Sequence, residues 1–200
     1  MPLAPLETCL YPESLLTAAS EAGSSPEIVI PTTEETRSQW WVLHTRPRTE
    51  KTLARKLLAR QIGFYLPLYE HRLPAAGRVR SSYLPLFPSY VFFFGDGEQR
   101  RQALETNLLV KTLPVADQPR LMSDLQAVRR VLESRQNVTP EERLQPGTPV
   151  RIVAGALAGL TGIVTRRGRQ LHFVIEVRFF AQGVATEIES WMLEPTVALS

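Results

Sequence analysis

From Gly147 to Pro195 the chain changes character, and this stretch constrains the fold more than any other. Glycines at 147, 155, 159, 162, 168 and 183 separate short runs rich in β-branched residues: PVRIV, GIVTR, FVIEVRFF, VATEIE and WML. Short strands turned at that spacing, over about 50 residues, predict a small SH3-like five-stranded β-barrel across 147–195, with 196–200 as a tail. The segment before it, RQNVTPEERLQP (135–146), is polar and has no hydrophobic period, so it reads as a linker.

Upstream the pattern is different. Order is expected to begin at Trp40, where WWVLHT has the aromatic and β-branched make-up of a short buried strand. A helix is predicted from Pro47 to about Gln61, with Thr45 as N-cap and Pro47 in the first turn. At 100° per residue, Leu53, Ala54, Leu57 and Leu58 share one face of it, with Arg48, Lys51 and Arg55 opposite. FYLPLYEHRL (64–73) and YLPLFPSYVFFF (83–94) read as strands joined by the polar hairpin tip PAAGRVRSS, with Pro67 arguing for an edge or a bulge. EQRRQALET then gives a short helix and LLVKTLPV a strand. Ser123 to Gln126 has capping-box spacing and predicts a final helix with Leu125, Val128, Val131 and Leu132 on one stripe. Residues 40–134 are therefore expected to form an α/β sandwich on a mainly antiparallel four-stranded sheet, making the whole chain α+β.

The formal net charge of +3 hides a segregation. Residues 1–39 hold six acids against Arg37 alone, and with little periodicity they read as a disordered acidic head. Residues 40–95 hold nine bases against Glu50 and Glu70, a balance of +7 that points to a polyanionic partner. Cys9 is the only cysteine, which excludes an intrachain disulfide framework. No apolar run approaches the ~18–20 residues of a membrane helix, and the N-terminus lacks the basic start of a secretory signal. A cytoplasmic monomer with no membrane contact is expected.

Catalytic patterns are nearly absent. His44, His71 and His172 lie far apart with no metal-spaced partner, and there is no G-x-S-x-G elbow. The run GALAGLTG (155–162) lacks the G-K-[ST] ending of a phosphate loop and sits between two strands. Neither cofactor, metal nor enzymatic activity is expected.

GTPVRIVAGALAGLTGIV resembles a KOW motif, the strand–loop–strand signature shared by NusG factors and certain ribosomal proteins; Gly147, Val150, Ile152, Gly155 and Gly162 occupy its positions. WWVLHTRPRTEKTLARKL resembles the opening of NusG N-terminal domains. LPLFPSYVFF resembles that family's F-P-G-Y-[VL]-[FL] strand, with Ser89 in place of the commoner glycine. The resemblance spans roughly residues 40–195, and within the family it is nearer the specialised operon-specific paralogues typified by RfaH than a housekeeping NusG.

The resemblance implies a transcription elongation and antitermination factor that acts by binding. It places Phe87, Pro88, Tyr90 and Phe92 on the strand that docks onto the β′ clamp helices of RNA polymerase. Strand alternation puts Tyr90, Phe92 and Phe94 on one face and Val91 and Phe93 on the other, so one face packs inward and the other is expected to be an exposed aromatic surface. The basic helix face and hairpin would then lie near upstream or non-template DNA, with His44, Arg46, Arg48, Lys51, Arg55, Arg72, Arg78 and Arg80 as contacts. In the KOW loop, Leu157 and Leu160 match the positions that meet ribosomal protein S10 or Rho, where family members often carry phenylalanine. The glycines and β-branched residues between 150 and 190 disfavour the helical form that RfaH adopts there, so a permanent barrel is expected. The first rival is a KOW-type ribosome- or RNA-binding protein without polymerase contact, which leaves the F-P-x-Y strand unexplained. The second, a nuclease, would need clustered acids for metal.

Overall fold

The computed structural model describes residues 8–18, 37–75, 78–134, 138–141, 147–167, 170–177, 182–189 and 192–196. They divide into two compact units: residues 1–67 with 87–122, and residues 68–86 with 123–200. The remaining residues of the linker 135–146, and residues 197–200 of the tail, lie outside the described set, as do 1–7 and 19–36 of the head.

The first unit is built on a five-stranded antiparallel sheet. Its elements are β1 (Leu10–Tyr11), α1 (Leu15–Ala18), β2 (Gln39–Thr45), α2 (Glu50–Ala59), β3 (Gly63–Tyr65), β6 (Tyr90–Gly95), α3 (Gly97–Leu104) and β7 (Leu109–Pro114). The sheet order is β1-β3-β6-β2-β7. The centre is the β2–β6 ladder, with Trp40 opposite Phe94, Val42 opposite Phe92 and His44 opposite Tyr90. Directly opposed residues share a face, so these six side chains line one side and Trp41, Leu43, Val91 and Phe93 the other.

Helices α2 and α3 cover the second side. Leu53, Ala54 and Leu57 of α2 are buried, as their spacing predicts, and the guanidinium of Arg100 in α3 stacks over the Trp41 ring at 4.4 Å. Lys56 of α2 donates to the carbonyl of Thr106, just past α3, and Arg60, just past α2, to that of Gln102 in α3. The α3 N-terminus carries a full capping box between Asp96 and Gln99.

Several sequence expectations fail here. The helix predicted from Pro47 with Thr45 as N-cap begins at Glu50 with Thr49 as its N-cap, and Thr45 ends β2. The acidic head is not structureless throughout: β1 pairs antiparallel with β3, and the Cys9 carbonyl accepts from the Leu66 amide at 2.7 Å. Leu10, Leu15 and Leu16 are buried. These three leucines supply the apolar area that anchors the segment, although they follow no single helix or strand period. The last helix, α4 (Gln118–Glu133), begins before Ser123, which lies inside it. Asp117 caps it by accepting from the Arg120 amide at 2.9 Å. The Gln118 side chain bonds both the N–H and the C=O of Trp40, extending the sheet ladder past Pro114, which has no N–H to give. Leu125, Val128 and Val131 are buried on the predicted stripe.

The second unit holds the hairpin β4 (Leu68–Ala75) and β5 (Arg78–Pro85), which pair only with each other among the described residues. It also holds β8 (Val138–Glu141), β9 (Thr148–Ile152), β10 (Thr161–Arg167), β11 (Gln170–Val177), β12 (Gln182–Ile188) and β13 (Leu193–Pro195). The five predicted strands are present, and a sixth, β8, forms inside the stretch expected to be linker by pairing with β12. The order is β13-β9-β10-β11-β12-β8, an antiparallel sheet in which no ladder among the described residues joins its two edges. The five strands of the expected barrel are therefore in place, and its closure is not seen among the described residues.

In the loop between β9 and β10, Gly155 and Gly159 take φ of +81° and +87°, the left-handed region glycine enters at little cost. The Gly159 amide and the Leu160 carbonyl both bond back to Ile152, closing the loop as a turn.

Candidate functional site

Three non-glycine residues with positive φ gather at one end of the first sheet: Arg48 (63°) after β2, Ser89 (67°) before β6 and Asn107 (58°) before β7. Such backbone costs about 1–3 kcal/mol per residue and persists where surrounding structure enforces it. The enforcement is visible. The Thr45 amide donates to the Ser89 carbonyl at 2.8 Å, and the Arg46 amide to the Leu108 carbonyl at 2.9 Å. The Ser89 amide donates to Oε1 of Glu50 at 2.7 Å. The Tyr90 amide donates to the Phe87 carbonyl at 3.1 Å, closing a turn with Pro88 second and Ser89 third. Proline there, followed by a positive φ, defines a type II turn, which prefers glycine in the third place. Ser89→Gly is therefore expected to raise stability by about 1 kcal/mol, read as a shift in urea midpoint at unchanged m. An unchanged or lower midpoint would show that the serine is not strained.

The turn presents Pro88, which is exposed, and Tyr90, which is half-buried and stacks on His44 with ring centres 5.2 Å apart and 24° between planes. The other two residues of the predicted contact do not reach the surface. Phe87 is 1% exposed and Phe92 0%, and their rings meet edge to face at 5.9 Å. Phe92 also lies 6.5 Å from Tyr65, and Trp40 packs on Phe94 at 5.3 Å. The centre of the aromatic face is thus an interior cluster; Phe94 at one end and Tyr90 at the other are half-buried, and Pro88 beside Tyr90 is exposed.

Around that end lie exposed Arg46 and Arg48, with half-buried Lys51 and exposed Arg55 one turn apart on α2. Lys111, exposed and paired with His44 in the β2–β7 register, joins them. Sequence reading missed it, although the alternation of LLVKTL placed it. Among the described residues, His44 Nδ1 and Thr45 Oγ1 are buried here without a hydrogen-bond partner. The hairpin residues belong to the other unit. Arg72 is exposed and bonded to Glu70 at 2.7 Å. That bond, with a second from Ser81, holds the Glu70 carboxyl below its ordinary range. Arg80 and Arg78 oppose Leu73 and Ala75 in the backbone register. The first unit thus carries His44, Arg46, Arg48, Lys51 and Arg55, while Arg72, Arg78 and Arg80 belong to the second.

Leu157 and Leu160 are 2% and 8% exposed, so they support the β9–β10 loop from beneath. Its surface is Ala156, Ala158 and Gly159, and the Ala158 carbonyl accepts from Arg130 at 2.8 Å. Among the described residues no cluster of His, Cys, Asp or Glu could hold a metal ion, and no helix is long and apolar enough to cross a membrane.

The sequence profile described as transcription termination factor NusG matches residues 38–143, more than half of the chain. The chain belongs to the NusG family, a family of transcription factors that have no enzymatic activity of their own. Among solved structures, one titled as the crystal structure of the MjSpt4:Spt5 complex in conformation B is similar at 14% identity and a TM-score of 0.27. It covers 78% of this chain and 96% of its own. So loose a likeness places no residue. No curated protein matches.

Proposed function

We propose that the chain is an elongation and antitermination factor that docks on the β′ clamp helices of RNA polymerase through the Pro88–Tyr90 end of its first sheet. The observation that carries this reading is the hydrogen-bonded type II turn, with Tyr90 stacked on His44 and Pro88 exposed beside it. Aromatic groups held rigidly lose little entropy on binding, which suits them to anchor an interface. Binding that favours the closed clamp shifts polymerase towards processive elongation without any chemistry. The second sheet serves as the KOW module, a barrel of the SH3-like kind. Through the exposed surface of its β9–β10 loop it recruits a further partner, ribosomal protein S10 or Rho.

The direct test is capture of core polymerase by the full chain, with clamp helices alone as competitor. Retention of ribosomal RNA in place of polymerase would favour the KOW-type RNA-binding alternative.

The basic residues flanking the turn would meet upstream or non-template DNA through phosphates. Reversing the charge of Lys51 and Arg55 is expected to lower the log–log salt slope of single-strand binding by about 1.4, at ~0.7 per phosphate contact. Affinity measured from ~50 to ~300 mM salt reads this out, and the loss is uniform across DNA sequences for phosphate contacts. An unchanged slope would mean that this face meets only solvent. A loss confined to one sequence would mean that it reads bases.

A further inference from the structure

Glu50 is the first residue of α2, yet it is only 5% exposed. A carboxyl is expensive to bury unless hydrogen-bonded, and the first turn of a helix is where it is best tolerated. Glu50 spends that position on another segment. Its Oε1 accepts from the amide of Ser89, 39 residues away and immediately before Tyr90. Ser89 is the strained residue of the turn, and its carbonyl is tied in turn to the Thr45 amide of β2. Both backbone groups of Ser89 are therefore fixed, one by a side chain and one by the sheet. The next residue carries the ring that stacks on His44.

We propose that Glu50 is the positioning residue of the polymerase-contacting turn. Its carboxyl holds Ser89 in the left-handed conformation, and that conformation sets the direction of the Tyr90 ring. The inference rests on the docking role given to Tyr90, but the placement of the ring can be measured without polymerase.

The test compares the full chain with Glu50→Gln, Glu50→Ala, Ser89→Gly and the double variant Ser89→Gly with Glu50→Ala. One readout is the upfield shift of the His44 ring protons produced by stacking on Tyr90, and the other is affinity for core polymerase. Glutamine keeps an acceptor, so Glu50→Gln retains the shift and binds within about threefold of the parent. Ser89→Gly keeps the clamp and retains the shift. Glu50→Ala loses the shift and binds about tenfold more weakly, whereas the double variant recovers the shift, because glycine takes the left-handed conformation without the carboxyl. The double variant decides the matter if Glu50→Ala does not fold: a folded double variant without the shift would overturn the proposal.

Retention of both shift and affinity in Glu50→Ala, accompanied only by a lower Tm, would reduce Glu50 to a stabilising residue and overturn the proposal. So would a lost shift with parental affinity, or a Glu50→Gln variant that behaves like Glu50→Ala. A parent chain that fails to bind polymerase would sink the docking role instead, and the ring shift alone would then decide whether Glu50 positions Tyr90.

Discussion

Phe92→Ala is expected to lower the unfolding free energy by about 3–5 kcal/mol, a large fraction of the ~5–15 kcal/mol that holds a typical domain together. Phe92 is fully buried on the central ladder, opposite Val42, between the rings of Tyr65 and Phe87. Alanine removes most of the ring and opens a cavity that neighbours on three strands cannot fill without leaving the sheet. Urea unfolding of the full chain measures the loss. A cost below about 1 kcal/mol would mean that the ring packs loosely and that this face opens towards a partner, as the family resemblance alone implied.

Tyr90→Ala separates binding from folding. The ring is half-buried at the mouth of the same face, so its removal exposes the His44 ring and leaves the central cluster intact. Stability is expected to fall by only about 1 kcal/mol. Affinity for polymerase is expected to fall about thirtyfold or more, the ~2 kcal/mol threshold of an anchoring aromatic. Titration of labelled protein with core polymerase gives the ratio directly. A folded Tyr90→Ala variant that binds like the parent would remove the turn from the interface. Pairing Tyr90→Ala with Phe92→Ala would confuse the two effects, because the second substitution acts on the core.

The contrast between these neighbours marks where sequence reading stops. Period-2 alternation correctly put Tyr90, Phe92 and Phe94 on one face, because strand geometry is local. Which face is covered is a tertiary fact, and alternation cannot report it when both sides are aromatic. The β2 strand, the apolar stripe of α2 and the five glycine-separated strands were legible because their signals repeat within one element. Leu10, Leu15 and Leu16 were not, since three leucines in a segment of prolines and acids show no period. Val138–Glu141 was hidden by its own Pro140, which an edge strand tolerates. At Ser123 a capping-box match outweighed Asp117 and Pro119, although a proline in the first turn is the better start signal. The Glu50–Ser89 bond joins residues 39 apart, and no spacing rule finds it.

The pairing of β1 with β3 fixes where this module can be cut. The family match starts at residue 38, and a fragment begun there would look complete by homology. It would nevertheless strip Gly63–Tyr65 of the neighbour that occupies its outer backbone groups. It would also remove Leu10, Leu15 and Leu16, which are buried in the full chain, and with them the apolar contacts they make. A bare strand edge beside newly exposed apolar side chains is a template for self-association. Fusion partners and affinity tags therefore belong ahead of residue 8, and a graft of this domain onto another protein must carry the leading strand with it.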